Sequence, residues 1–279
     1  MTEGRNVPGV TVRPWRGLPA VELVNPAGRA VVTLAGAHVA EYAPAGQEEV
    51  LFMSARSEFA SGKAIRGGVP VCFPWFGAPP EGRSGSHGWA RISDWELLEA
   101  DAGQAVFGLI REGYRLRYTV TPGAKLEMRL EVENLSDRKA TFSGALHTYL
   151  RVGDAERVEV AGLEGVTYRD ALTGERRIQS GPVIIDREVD RAYLSDAEVM
   201  VLDPVLARRI VIAKSGSGTT MVWNPWIAKS RRMPDFGDDE YRDMLCIEAA
   251  LVPAVGDQRT LAPGERAALS QTVTATPLA

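Results

Sequence analysis

The chain is expected to be all-β: one large single-domain sandwich or barrel spanning residues 1–279, with few and short helices. Two patterns lead there. Apolar and polar residues alternate in several stretches with the period of a half-buried strand, and short β-like runs follow one another closely, separated by Gly, Pro, Asp and Ser turns. No helix longer than a few turns is evident, which argues against alternating strand–helix units.

In chain order, runs at Val21–Val24, Ala30–Leu34 and Val50–Met53 read as strands. The least regular part follows at 54–94. Seven glycines and four prolines between Arg56 and Arg91 argue against a long helix or strand there and define a loop whose backbone can come close to a ligand. Strands resume at Trp95–Glu99 and Ala105–Arg111. YRLRYTVT and KLEMRLEVE both alternate, with Leu126, Met128, Leu130 and Val132 set against Glu127, Arg129 and Glu131, and Pro122-Gly123 between them marks a hairpin turn. In the next run, Thr141–Leu150, Phe142, Leu146 and Leu150 share one face, so Ala145, His147 and Tyr149 take the other. Shorter runs at Val158–Val160, Val183–Ile185, Val199–Leu202, Arg209–Ala213 and Thr220–Trp223 lead to a second irregular segment, Asn224–Arg242. Leu245–Val252 and Ala267–Thr274 complete the set. Long ordered loops on a β scaffold are where function usually sits.

At 279 residues, 45% hydrophobic and 24% charged, the chain has ample material for a core, and no Ser/Gly or charged linker divides it. A formal charge of -4 argues against a nucleic-acid binder relying on a strongly basic field. The N-terminal MTEGRNVPGVTVRPW lacks a signal-peptide core, and no apolar run approaches the ~20 residues of a membrane span, so a cytoplasmic protein is expected. A monomer is expected. Cys72 and Cys246 both sit among apolar residues and read as buried, reduced thiols, neither of them a nucleophile.

Several familiar motifs fail. SGKAIRGG matches a phosphate loop only at Gly62-Lys63, and the G-S-G of Lys214–Thr220 precedes no helix. Three histidines without tight pairing or a Cys cluster predict no metal site, and no G-x-S-x-G elbow occurs. The window from Arg56 to Arg91 is locally basic, since Arg56, Lys63, Arg66, Arg83 and Arg91 face only Glu58 and Glu81; an anionic small molecule is the simplest guest. Arg66 precedes Gly67-Gly68, where missing side chains leave its guanidinium approachable, and Arg91 follows His87 by four residues. Taken singly, these arginines also suit a surface position and a loop brace. Glu248 is the only charge in MLCIEAALV, and an unpaired buried carboxylate is costly, so it needs either an arginine partner or a chemical task. His147 taken alone reads first as a satisfied structural histidine, and His38 reads as structural.

Read together, IRGGVPVCFPWFG, HGWAR, LHTYLRV, DRAY, VWNPW and MLCIEAA, in this order, closely resemble the glucose-6-phosphate 1-epimerases, or hexose-6-phosphate mutarotases, of the aldose 1-epimerase superfamily. The resemblance spans essentially Ala35 to the C-terminus. It implies a galactose-mutarotase-like β-sandwich, with His147 as catalytic acid and Glu248 as catalytic base. It further implies that Arg66, His87, Arg91 and Asp190 hold a phosphosugar, the arginines at the phosphate and Asp190 at a hydroxyl, with no metal or organic cofactor. Some relatives carry an amide just before the histidine of HGWAR, where this chain has Ser86, and PDFGDDEY receives no chemical role. The implied reaction is exchange of α and β anomers through the open-chain aldehyde. An epimerase of unphosphorylated aldoses and a non-catalytic phosphosugar-binding protein are the alternatives. A two-carboxylate glycoside hydrolase fits less well, because Glu248 has no obvious second carboxylate in a comparable apolar strand.

Overall fold

The computed structural model describes residues 8–278. Its strands form two large antiparallel sheets, one of nine strands and one of eight, accompanied by a four-stranded sheet from 10–44 and a two-stranded ribbon. The sole α-helix among the described residues is Trp226–Ser230, and none there is long and apolar enough to cross a membrane.

The predicted hairpin forms the middle of the nine-stranded sheet, where Tyr114–Thr121 pairs with Leu126–Asn134 and the latter pairs with Arg266–Pro277. Its alternation is realised directly: Leu126, Met128, Leu130 and Val132 are buried, while Glu127, Arg129 and Glu131 are half-buried or exposed. Across the core lie Leu146 and Leu150, with Leu245, Ile247, Ala249 and Leu251, all on strands of the eight-stranded sheet and all in the same apolar cluster. Each of these leucines, and Ile247, contributes about 1.5–3 kcal/mol relative to exposure. The period of two then sends Ala145, His147 and Tyr149, and likewise Cys246, Glu248 and Ala250, to the outer face of that sheet.

Three expectations need correction. Val50–Met53 makes only isolated bridges, Leu51 to Leu150 and Met53 to Gly67. The run Thr141–Leu150 is broken into Ala140–Phe142, Gly144–Leu146 and Tyr149–Arg151, because Ser143 and His147 turn their amides to the loop carbonyls of Pro74 and Pro70. Strands His38–Pro44, Thr167–Asp170 and Val189–Tyr193 exist where no strand was expected, since their polar residues interrupt the apolar pattern.

One polar residue ties the two sheets together behind the outer face. Gln271 sits at an inward position between Leu269 and Val273, accepts a hydrogen bond from the Thr148 hydroxyl, and donates one to the Ile247 carbonyl at 2.9 Å. Thr148 and Ile247 are the immediate neighbours of His147 and Glu248.

Candidate active site

Strand register places the outer-face residues in two rows. Arg169, Ala192, Met221 and Glu248 stand directly opposite one another across four strands, and the pairing of Leu146 with Ala249 brings His147 to the end of that row. The adjacent row runs Asp190, Trp223, Cys246, Tyr149. The first row, with Asp190 and Trp223 of the second, floors a cavity of about 860 Å³, walled by Pro74–Pro80 with His87, by Lys229 and Met233, and by Val252–Ala254 with Gln258; Cys246 and Tyr149 are buried and do not line it. That volume suits a ligand of small-molecule size.

His147 and Glu248 meet on the floor. His147 Nδ1 lies 3.4 Å from Glu248 Oε1, and the two side chains are 9% and 1% exposed. Neither His147 Nδ1 nor Glu248 Oε2 has a hydrogen-bond partner among the described residues. The imidazole stacks on Tyr149, centroids 4.8 Å apart and planes 9° from parallel, and meets His87 edge-on at 5.5 Å and Trp223 at 6.0 Å. Burial pushes the Glu248 carboxyl well above its ordinary range, with Asp190 adding to it. Burial pushes His147 well below neutrality, helped by His87 and the positive charges of Arg66 and Arg91.

Arg66 reaches the cavity from the glycine-rich loop. Its Nη1 donates to the Tyr149 hydroxyl at 2.8 Å, and its Nε and Nη2 donate to Asp235 at 3.2 and 3.1 Å. The corner after it requires glycine, because a Cβ on Gly68, at φ +55°, would lie 2.3 Å from the Val39 carbonyl. Asp235 is placed by Glu240, whose carboxylate accepts from the Ser54 hydroxyl and the Ala55 and Gly237 amides at 2.6, 2.8 and 2.7 Å. PDFGDDEY thus supplies the arginine's counter-charge.

His87 holds a left-handed backbone, φ 61°, just before Gly88. Its Nδ1 accepts the Gly77 amide at 3.3 Å, which leaves the proton on Nε2, and burial, then Arg91 and Arg66, push its pKa down to about 3. Asp190 lies near Lys229, 3.7 Å away, while Lys229 pairs more closely with Glu188 at 2.9 Å and stands over the Trp223 ring. Lys229 is presented by the short helix, which Asn224 of VWNPW fixes by accepting the Trp226 amide and donating to the Tyr241 and Met244 carbonyls.

Five of the six expected residues therefore line one cavity: Arg66, His87, His147, Asp190 and Glu248. Arg91 does not. Its Nη2 donates to the Ser86 carbonyl and hydroxyl at 2.8 and 3.0 Å, so it braces its own loop. Sequence reasoning missed Trp223, Lys229 and Arg169 at the cavity, and Tyr149 and Asp235 behind it. Arg169 lines the cavity with no carboxylate within salt-bridge distance among the described residues. The sequence signal for Tyr149 was available, since it shares a face with His147. Cys72 and Cys246 are free and buried, and burial raises both thiols, Cys72 to about 12.

An imidazole and a carboxyl side by side under aromatic walls, carried on an antiparallel sandwich, define an isomerase of the mutarotase type. The chain matches the family described as Aldose 1-epimerase over residues 19–274, and it belongs to that family. It is 35% identical over 261 residues to a protein of Cenchrus ciliaris named "Putative glucose-6-phosphate 1-epimerase", covering 85% of this chain and 78% of the relative. It is 33% identical over 250 residues to a protein of the same name from Escherichia coli (strain K12), covering 84% and 85%. Among solved structures, a "putative mutarotase" from Salmonella typhimurium superposes with a TM-score of 0.90 at 28% identity, covering 99% of this chain and 96% of that one.

Proposed function

We propose that this chain interconverts the α and β anomers of a hexose 6-phosphate, glucose 6-phosphate first among them, by acid–base ring opening and reclosure. The observation that carries the reading is the contact between His147 Nδ1 and Glu248 Oε1, 3.4 Å, on the floor of a cavity with cationic side chains at its edge. Family membership and the names of the relatives support it.

Burial favours the uncharged pair, with a protonated Glu248 and a neutral His147. Transfer of the Glu248 proton to Nδ1 creates an imidazolium and a carboxylate. The imidazolium gives its Nε2 proton to the ring oxygen, the carboxylate takes the proton of the C1 hydroxyl, and the C1–O5 bond breaks to give the aldehyde. The pair is then uncharged again, so opening discharges a buried ion pair. Rotation about C1–C2 and the reverse transfers close the other anomer. Each group contributes on the order of 10²–10⁴ in rate, and the scheme requires no metal or organic cofactor. His87 Nε2–H and Asp190 serve as partners for sugar oxygens, Trp223 and Phe76 offer apolar faces, and Arg66 faces the anionic end. All these side chains come from one chain, and we propose a monomer of one domain. A cytoplasmic home is consistent with its two free thiols.

The test is exchange spectroscopy by NMR on glucose 6-phosphate with wild type and Glu248→Gln. Exchange well above the buffer rate, lowered 10²–10⁴-fold by the substitution, is expected; exchange at the buffer rate refutes the proposal. One observation favours the second reading, an epimerase of free aldoses: Arg66 is already paired with Asp235, and Arg91 lies off the cavity. For the phosphosugar reading, Arg66→Ala and Arg169→Ala raise KM for glucose 6-phosphate at least tenfold and leave free glucose unaffected. Equal effects on both sugars favour the second.

A further inference from the structure

Cys246 is buried beside His147 and Glu248, outside the cavity lining and without a part in the proton transfers. It precedes Glu248 by two residues on the strand Met244–Leu251, so the two side chains share a face. Its sulfur, a ring nitrogen of His147 and a carboxylate oxygen of Glu248 all lie within 4.8 Å of one another. Three points so spaced fit inside a circle of radius 4.8/√3, about 2.8 Å, whereas zinc takes nitrogen and oxygen at about 2.0 Å and sulfur at about 2.3 Å. Contraction by less than about 1 Å per side chain completes the set. An independent observation points the same way. His147 Nδ1 and Glu248 Oε2 are buried and lack hydrogen-bond partners among the described residues, whereas buried polar atoms are almost always satisfied.

We propose that His147, Cys246 and Glu248 form a three-ligand site for a borderline-soft divalent cation of the zinc type, and that its occupancy switches the enzyme off. The inhibitory half rests on the acid–base reading above. The donor set selects the metal class: one nitrogen, one sulfur and one carboxylate suit zinc in four-coordination, whereas magnesium and calcium require shells of six or more oxygens. Charge balances. The thiol and the protonated Glu248 carboxyl each release a proton to solvent as the metal binds, and His147 binds as neutral imidazole, so a dication replaces two protons and meets two anions in a buried place. His147 and Glu248 line the cavity, which gives a cation its entry path. A cation held there occupies a ring nitrogen of His147 and the carboxylate of Glu248, and the proton transfers through the pair stop.

The test uses chelator-treated full-length protein titrated with Co²⁺ as optical probe and Zn²⁺ as competitor. One equivalent of Co²⁺ is expected to develop a thiolate-to-metal charge-transfer band, bleached by Zn²⁺ and absent in Cys246→Ser. Stoichiometric Zn²⁺ is expected to slow anomer exchange at least tenfold in wild type, reversibly on chelation, and to leave Cys246→Ser at its metal-free rate. Cys246→Ala, with circular dichroism matching wild type, repeats the comparison with a second replacement. Absence of the band, or equal zinc inhibition in wild type and both variants, overturns the proposal. The optical readout needs no turnover. A protein that shows the band yet exchanges no anomers sinks the catalytic reading and the switch while leaving the metal site standing.

Discussion

Replacing Gln271 by leucine tests whether the proposed acid–base pair, His147 and Glu248, is held from behind. The amide accepts from the Thr148 hydroxyl and donates to the Ile247 carbonyl at 2.9 Å, and all three residues are fully buried. Leucine has a similar bulk but leaves a buried hydroxyl and a buried carbonyl without partners. Each such orphan costs about 1–3 kcal/mol, so a loss of about 2–6 kcal/mol is expected, read as a shift in urea midpoint at neutral pH with the slope unchanged. Adding Thr148→Val removes one orphan and should restore about 1–3 kcal/mol, a recovery that general core damage would not produce. Since Thr148 and Ile247 flank His147 and Glu248, anomer exchange should also fall by up to about 100-fold, the scale of a misplacement near 1 Å. A leucine variant within about 0.5 kcal/mol of wild type, the range of neutral surface substitutions, refutes the reasoning.

Gly88→Ala should destabilise the loop beneath His87, because its φ of +72° strains any side chain and a Cβ would lie 2.0 Å from the Phe73 carbonyl; the dihedral alone costs about 1–2 kcal/mol, and a thermal midpoint equal to wild type would contradict this. Burial, then the charge of Arg91, lowers His38 to about 3. A depressed folded pKa means that the unfolded chain binds the extra proton, so this contribution is complete above about pH 6.5 and declines as pH falls toward 3, by up to about 1.4 kcal/mol per unit. Urea midpoints measured from neutral to mildly acidic pH should show that decline, and His38→Gln should flatten it by the same amount. His87, also lowered to about 3, adds a decline of the same sign.

The strands most readable from sequence are those with one wet face and one dry face. Leu126–Asn134 announces itself by alternation, whereas Val189–Tyr193 hides because Asp190 and Arg191 interrupt its apolar pattern on the way to the cavity. The proposed base was legible for the opposite reason: Glu248 is an ionisable group in an otherwise apolar strand, a local cost that demands a partner or a task. Gln271 sends the same signal in a weaker form, as the polar member of an inward series with Leu269, Val273 and Ala275. Long-range partnership was not legible. Nothing in IRGG announces that Asp235, far along the chain, neutralises Arg66, and nothing in HGWAR shows that Arg91 spends its guanidinium on Ser86. Those facts depend on how two loops meet above the sheet, which no local period encodes.

The cavity floor and the cavity walls have separate origins. The carboxyl rides on a strand and the imidazole on the break between two, with both backs tied across the core, while the rim comes from chain segments around Pro74–Pro80, the helix Trp226–Ser230 and Pro253–Gln258. Exchanging a rim segment reshapes what enters without re-registering the strands below. Selectivity among sugars can therefore drift, or be engineered by loop grafting, at constant chemistry, and a collection of rim variants on this sheet would differ in KM far more than in kcat.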